Sequence, residues 1–204
     1  MKRFGVLALQ GDYQEHSATL SRLSVQAQEV RKPNDLANLD GLIVPGGEST
    51  TMAHLLQKRA SSSDTKTLGT ELTSLIKEGL PVWGTCAGMI ILAKKLIQHE
   101  PSPLGLIDIT VNRNAFGRQK ESFEQELTIP EIGSPPFKAI FIRAPVIVDM
   151  DDTVTVLARL QDGTPVAARQ NNVLVTAFHP ELTRDDRFHQ YFIESATNHR
   201  VAQE

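Results

Sequence analysis

The residue types best suited to chemistry sit in a few short stretches. Val82-Trp83-Gly84-Thr85-Cys86-Ala87-Gly88 contains the one cysteine of the chain and passes from a short apolar run into the helical pattern Met89-Ile90-Ile91-Leu92-Ala93. This pattern predicts a strand, a sharp turn and a helix, with Cys86 on the turn between Gly84 and Gly88. The Gly-x-Cys-x-Gly spacing leaves no Cβ on either side, so a substrate and a neighbouring strand can approach the backbone closely. The helix N-terminus adds unpaired N–H groups and a partial positive charge that favours thiolate over thiol. Cys86 is therefore a candidate nucleophile, and the N–H of Ala87 a candidate oxyanion donor. A lone cysteine can equally be a small buried hydrophobe, so the motif depends on partners elsewhere in the chain.

The apolar run Val173-Leu174-Val175-Thr176-Ala177-Phe178 stops at His179-Pro180-Glu181. Side chains alternate along a strand, so positions 179 and 181 can point to the same side. Glu181 can then accept a hydrogen bond from one imidazole nitrogen while the other faces a thiol. An isolated His-x-Glu is more often a strand-end histidine and a surface glutamate. Joined to the cysteine elbow, it supplies a general base and its orienter, giving a Cys86, His179, Glu181 arrangement. A second loop, Pro45-Gly46-Gly47-Glu48-Ser49-Thr50-Thr51, follows an apolar run and leads into the helical pattern Met52, Leu55, Leu56. It lacks the glycine spacing and the Lys-Ser or Lys-Thr pair of a phosphate loop. Taken alone it is a tight turn and a helix cap. On the carboxyl edge of a parallel sheet it would lie beside Cys86, where its N–H groups could complete an oxyanion hole.

The elements that must carry these loops follow from apolar periodicity. Phe4 to Gln10 reads as a strand buried on both faces, and Asp12 to about Leu23 as an amphipathic helix with an approximate Asp12/Glu15 capping box and Tyr13, His16, Leu20 and Leu23 at helical spacing. Val25 to Val30 is a weaker strand and Gly41 to Val44 a buried one. The polar stretch from Lys58 to Thr67 reads as a surface loop or mobile insertion, Leu68 to Gly79 as a helix, and the elbow helix as running to about Leu96. Short strands follow at 107–111, 123–129, 139–142, 154–160, 165–170 and 173–178, and a closing helix at 187–198. Alternating strands and helices predict a mostly parallel central sheet flanked by helices in three layers, with antiparallel β-rich additions in the second half.

Composition narrows the possible functions. A chain of 204 residues reads as one domain and is large enough to bury about 70% of its unfolded surface. A net charge of −3 from 21 basic and 24 acidic residues gives no global attraction to nucleic acid or to anionic membrane. One cysteine forms neither an intrachain disulfide nor a cysteine-based zinc site, and no metal or cofactor is expected. The N-terminal residues enter a strand pattern directly, without the apolar core of a secretory signal, and no apolar run has the roughly 20 residues of a membrane span. The expected location is the cytoplasm.

With these residues assembled, the chain resembles the class I glutamine amidotransferases, and among them the branch that serves as glutaminase subunits of pyridoxal 5′-phosphate synthases. The resemblance spans nearly the whole length. It is carried by Gly5 to Gly11, Pro45 to Thr50, Trp83 to Gly88, Arg113-Asn114-Ala115-Phe116-Gly117-Arg118-Gln119, Phe141-Ile142-Arg143-Ala144-Pro145 and Phe178 to Glu181. It implies hydrolysis of L-glutamine to glutamate and ammonia by Cys86, His179 and Glu181, with Gly47 and Ala87 in the oxyanion hole. It also implies glutamine binding by Gly47, Glu48, Ser49, Arg113, Ile142 and Arg143. The implied partner is a separate synthase subunit that accepts the ammonia, since a glutaminase domain occupies all 204 residues. Gln10, ending on the same sheet edge, is the candidate for relaying contact from that partner to the Gly46-Gly47 loop.

Two other readings stay open at this level. A redox-sensor or chaperone module can also carry a reactive thiol on an elbow, although it needs neither Glu181 nor arginines for a substrate carboxylate. A glutaminase subunit of another pathway, such as histidine biosynthesis, differs only in the branch-specific segments.

Overall fold

Why the chain can bury a cysteine elbow follows from its strands. The computed structural model describes residues 2–59, 66–113 and 122–201. Strands β1 (Arg3–Leu7), β3 (Gly41–Val44), β4 (Val82–Thr85) and β12 (Val173–Thr176) are apolar and almost wholly buried, as strands covered on both faces must be. With β2 (Gln26–Val30) they pair in parallel, in the order β12-β4-β3-β1-β2. Strands β11 (Pro165–Gln170) and β10 (Thr155–Arg159) extend the sheet beyond β12 as antiparallel neighbours, making seven strands.

Helices cover both faces. Trp83 and Gly84 are consecutive on β4 and so face opposite sides. The Trp83 ring stacks on Phe188 at 5.3 Å and meets Phe192 at 5.6 Å, both from α5 (Arg187–Val201), and has His16 of α1 (Tyr13–Arg22) at its edge. Such ring pairs add about 0.5–1.5 kcal/mol each beyond burial, which fixes α5 and α1 on this side. On the other side Gly84 lies against α4 (Ala87–Leu92), which contacts α2 (Ser49–Gln57), itself packed on α3 (Leu68–Lys77). The result is three layers around one continuous apolar cluster. Two smaller β units are appended: β5 (Ala93–Leu96), β6 (Ile107–Asn112) and β9 (Val146–Met150) form one, and β7 (Ser122–Leu127) with β8 (Phe137–Ile142) forms an antiparallel hairpin. Among the described residues no helix is long and apolar enough to cross a membrane.

Three expectations change. The elbow helix ends at Leu92 instead of running to about Leu96, and Ala93–Leu96 is a strand. Its last carbonyls are taken by the N–H groups of Leu104, Gly105 and Leu106 instead of by a further helical turn, and β5 then pairs with β6. Strand β9 was not expected at all and exists by pairing with β6. Asp12 is the N-cap residue of α1, but its side chain makes no capping bond, so the predicted capping box is absent. Residues 60–65 of the polar stretch and residues 114–121, including all of the Arg113 to Gln119 segment except Arg113, lie outside the described residues.

Candidate active site

Strand β4 delivers Cys86 at a backbone conformation of φ 47° and ψ −101°. A positive φ at a non-glycine residue costs on the order of 1–3 kcal/mol and survives only where packing imposes it. The flanking glycines show how. A Cβ on Gly84 would lie 2.6 Å from the carbonyl of Gly88, and a Cβ on Gly88 would lie 2.0 Å from the carbonyl oxygen of Val44. The elbow is thus clamped backbone against backbone onto β3 and β4. The N–H of Cys86 closes the clamp by donating to Thr176 O at 2.8 Å. Gly88→Ala is accordingly expected to destabilise the fold by about 1–3 kcal/mol, because the clashing atom is main chain and cannot swing aside. Chemical denaturation measures this, and wild-type stability would show that the elbow can relax.

The same pairing brings in the histidine. Strand β12 runs parallel to β4 in register from Val173 opposite Val82 to Thr176 opposite Thr85, so the chain beyond Thr176 emerges beside the elbow. His179 Nδ1 lies 2.7 Å from Glu181 Oε1, and both side chains are almost fully buried. This contact is not made by strand alternation, as the sequence suggested. The strand ends at Thr176, and Pro180–Leu182 is a single 3-10 turn that folds Glu181 back under the imidazole. Pro180 suits the first position of that turn, where its fixed φ fits and no N–H is needed. Cys86 and His179 line the same cavity, and with Nδ1 engaged by Glu181 the nitrogen left to face the sulfur is Nε2. The sulfur also lies 3.9 Å from the Ile142 carbonyl oxygen.

Electrostatics favour an imidazolium. Burial works against charge on His179, but hydrogen bonds to Asp12, Cys86 and Glu181, with the charge of Cys86, outweigh it and raise its pKa to about 12. Glu181 is pushed up by burial and held back by its bond to His179. Asp12 Oδ2 lies 3.3 Å from the same Nδ1, so two carboxylates compete for one N–H. Among the described residues, Asp12, His179 and Glu181 form the only cluster of possible metal ligands, their atoms within 4.8 Å of one another. Since Nδ1 already donates to Glu181, the cluster is accounted for as a hydrogen-bonded charge pair.

A cavity of about 300 Å³ opens onto Cys86 and His179, lined by Gly47, Glu48, Ser49, Arg113, Ile142 and Arg143, all residues that the sequence singled out. Asp12, Ile90 and Leu182 line it too and were missed. The signal for Asp12 in the sequence is a carboxylate at a strand's carboxyl end, which also fits a helix cap. The Glu48 carboxylate caps α2, accepting from Thr50 N at 3.1 Å and Thr51 N at 2.6 Å. Burial opposes its charge, yet these bonds prevail and lower its pKa to about 2. Arg113 donates to Glu100 O at 2.6 Å and Thr50 Oγ1 at 3.3 Å, which aims its guanidinium along the cavity wall. Arg143, at φ 43°, lies on the exposed rim beside Ile142. Gln10 stands outside the cavity and straps its loop: Nε2 donates to Glu48 O at 3.0 Å, and Oε1 accepts from Glu48 N at 3.1 Å. The Gly46 carbonyl accepts from Asp12 N at 3.3 Å, and Gly47 takes a φ of 144°. Glu181 lies behind His179, and Ala87 opens α4 with an N–H that has no acceptor in its own helix. A larger groove of about 390 Å³ lies at the opposite end of β4 and β12, near Pro81 and Val173, but no cysteine, histidine or carboxylate lines it, so volume does not decide the site.

Residues 6–198 match the SNO glutamine amidotransferase family. The chain belongs to that family. This amidotransferase is 50% identical over 192 residues to the pyridoxal 5′-phosphate synthase subunit PdxT of Carboxydothermus hydrogenoformans, covering 94% of this chain and 96% of the relative. It is also 50% identical over 194 residues to PdxT of Listeria monocytogenes, covering 95% and 98%. A crystal structure of a glutamine amidotransferase superposes with a TM-score of 0.87 at 47% identity, over 95% of this chain and 98% of that one. The PurLQS structure from Thermotoga maritima, at 15% identity and a TM-score of 0.62 over 99% and 98% of the two chains, shares the fold.

Proposed function

We propose that this amidotransferase hydrolyses L-glutamine to L-glutamate and ammonia, as the glutaminase subunit of a pyridoxal 5′-phosphate synthase. The observation that carries the reading is that Cys86 and His179 line a cavity with two arginines, with Glu181 buried behind His179 and bonded to its Nδ1. The thiolate of Cys86 attacks the side-chain amide carbon of glutamine. The resulting oxyanion is held by the N–H groups of Gly47 and Ala87. His179 gives its proton to the leaving nitrogen, the C–N bond breaks, and ammonia departs from a thioester. A water then loses a proton to His179 and attacks the thioester, releasing glutamate and restoring the thiolate. Glu181 keeps the imidazole oriented and balances its charge.

Glutamine is a zwitterion with one carboxylate to clamp, and Arg113 and Arg143 are the cations that line the cavity. Replacing either by alanine is expected to raise KM more than it lowers kcat, because that contact is the same in ground and transition states. Steady-state kinetics decides it: an unchanged KM in both variants returns the arginines to surface charges.

The names of the relatives support the vitamin B6 branch over histidine biosynthesis, and the ammonia then passes to a separate synthase subunit. One continuous apolar cluster supports reading the chain as one domain, and the need for a reduced Cys86 supports a cytoplasmic location. The Gly46-Gly47 peptide is the place for control by the partner. In a trans peptide the carbonyl and N–H point opposite ways, so the bond from Asp12 N to Gly46 O also sets the direction of the Gly47 N–H. Losing one oxyanion donor costs on the order of 10²–10³ in kcat, and the Gln10 strap is what a docked partner would pull. Ammonia release is expected to rise by about that factor when the synthase is added, and less in Gln10→Ala. Equal wild-type rates with and without the synthase would remove the gate, and no ammonia in either case would remove the glutaminase reading.

A further inference from the structure

Glu181 has two carboxylate oxygens, and only one is accounted for by the triad. Its side chain is 0% exposed. Oε1 takes the His179 N–H, whereas Oε2 has no hydrogen-bond partner. The group facing Oε2 is His16 Nε2, 3.4 Å away on a side chain that is also 0% exposed. His16 lies on the buried stripe of α1, its Nε2 3.2 Å from Thr85 Oγ1, the residue before the nucleophile, and its Nδ1 2.9 Å from Nε2 of His189 on α5. The reaction outlined above uses neither histidine.

Burial holds both rings neutral. It lowers the pKa of His16 well below 6.5, helped by the charges of His189 and His179. It takes His189 down to about 3, with Asp186 opposing and Arg22 assisting. The other charged groups around the pair are Glu181 and His179 at its inner end and the Arg22–Asp186 ion pair at its outer end. A neutral imidazole has one N–H, so the pair has two possible arrangements. If His16 carries its proton on Nδ1 and donates to His189, then His189 must bury an unpaired Nδ1–H, and Glu181 Oε2 faces a lone pair. If His189 donates from Nε2 to His16 Nδ1, then His16 has its proton on Nε2 and donates it to Thr85 Oγ1 at 3.2 Å, with Glu181 Oε2 3.4 Å from the same nitrogen but outside hydrogen-bond geometry. The one group left over is then a lone pair on His189 Nδ1, which agrees with that atom's having no partner. Burying an unpaired N–H on His189 while turning a lone pair of His16 toward the Glu181 carboxylate is the worse arrangement.

We propose that His16 is a positioning residue for the reaction: its Nε2–H, held in that tautomer by His189 and donated to Thr85 Oγ1, sets the positive end of its dipole 3.4 Å from the second oxygen of Glu181 and so keeps the first on His179. The need for an anchor is visible in the site. Asp12 Oδ2 stands 3.3 Å from the same Nδ1 on a side chain that is 37% exposed. If Glu181 turned, the imidazolium would pass to a solvated carboxylate and lose its orientation toward Cys86. A neutral N–H dipole steadies the buried carboxylate without adding a charge that would weaken the imidazolium. The catalytic line thereby extends through the protein as His189, His16, Glu181, His179, Cys86.

The inference rests on the glutaminase reading, and the tests keep the two apart. Nitrogen-15 NMR of histidine-labelled wild-type protein in complex with its synthase should find His16 neutral and protonated on Nε2 from pH 6 to 9. A proton on Nδ1, or a charged ring, overturns the inference whatever the enzyme does. In the same complex, His16→Leu should lower kcat by about tenfold, equivalent to about 1.4 kcal/mol at the barrier, with KM for glutamine changed less than about twofold. The basic limb of its kcat/KM profile should move to lower pH, because a less well-held Glu181 stabilises the imidazolium less. His16→Gln, which keeps an N–H donor, should recover most of the rate and the limb. Equal losses in the two variants with an unmoved limb would make His16 a packing residue only. No ammonia from the wild-type complex would sink the glutaminase reading and leave the tautomer measurement to decide this one.

Discussion

Cys86→Ala is expected to reduce glutamine hydrolysis by about 10⁴-fold or more while leaving the fold in place. The chain has no second cysteine to substitute, and no other nucleophilic thiol can reach the cavity. Removing one sulfur leaves the elbow clamp intact, since the clamp is made by Gly84, Gly88 and the Cys86 N–H bond to Thr176, none of which involves the side chain. The strained φ remains, so stability should change little. An electrophilic glutamine analogue should label Cys86 alone and should label nothing in the alanine variant. The variant also has an electrostatic signature. Cys86 is one of the groups that hold the His179 proton, so its loss should lower the His179 pKa from about 12. Ammonia release at the wild-type rate would remove Cys86 as nucleophile.

His179→Asn should be as damaging as loss of the thiol, because it removes both the acceptor of the thiol proton and the donor to the leaving ammonia. Glu181→Gln should cost about 10²-fold less, since base and nucleophile stay in place and only orientation and charge balance are weakened. A more severe effect of Glu181→Gln would reverse the assigned roles. The same residues set the pH dependence of stability. A histidine whose pKa is raised in the folded chain stabilises it fully below the unfolded value near 6.5 and progressively less as pH climbs toward about 12. His179 therefore makes the protein lose stability on the alkaline side, and His179→Asn should flatten that decline. His16 and His189 act in the opposite sense. Their lowered pKa values mean that the unfolded chain takes up protons the folded chain refuses, so stability falls as pH drops below about 6.5. Denaturation series across pH, for wild type and the two histidine classes, separate these limbs.

The sequence by itself determined the two halves of the chemistry. Gly-x-Cys-x-Gly after an apolar run marks a tight turn, because β3, β4 and α4 approach so closely that a Cβ at Gly84 or Gly88 would fall 2.0–2.6 Å from backbone atoms. His-Pro-Glu closes a strand with a base and an acid two residues apart, and the apolar periods of β1, β3, β4 and β12 announce strands buried on both faces. Those signals are local, since each depends on side chains within one turn or one strand. The tertiary structure decided which halves meet. β12 is far from β4 in sequence and inserts between it and β11, so that Thr176 lies opposite Thr85 and His179 arrives at Cys86. It also replaced strand alternation with a 3-10 turn as the device joining His179 to Glu181, and ended the elbow helix early because carbonyls at its end found N–H donors at 104–106. It turned Asp12 from a helix cap into a competitor for His179 and placed the His16–His189 pair beneath Glu181. Periodicity reports that a face is buried, whereas the partner that buries it is chosen by hydrogen-bond pairing and packing between segments far apart in the chain.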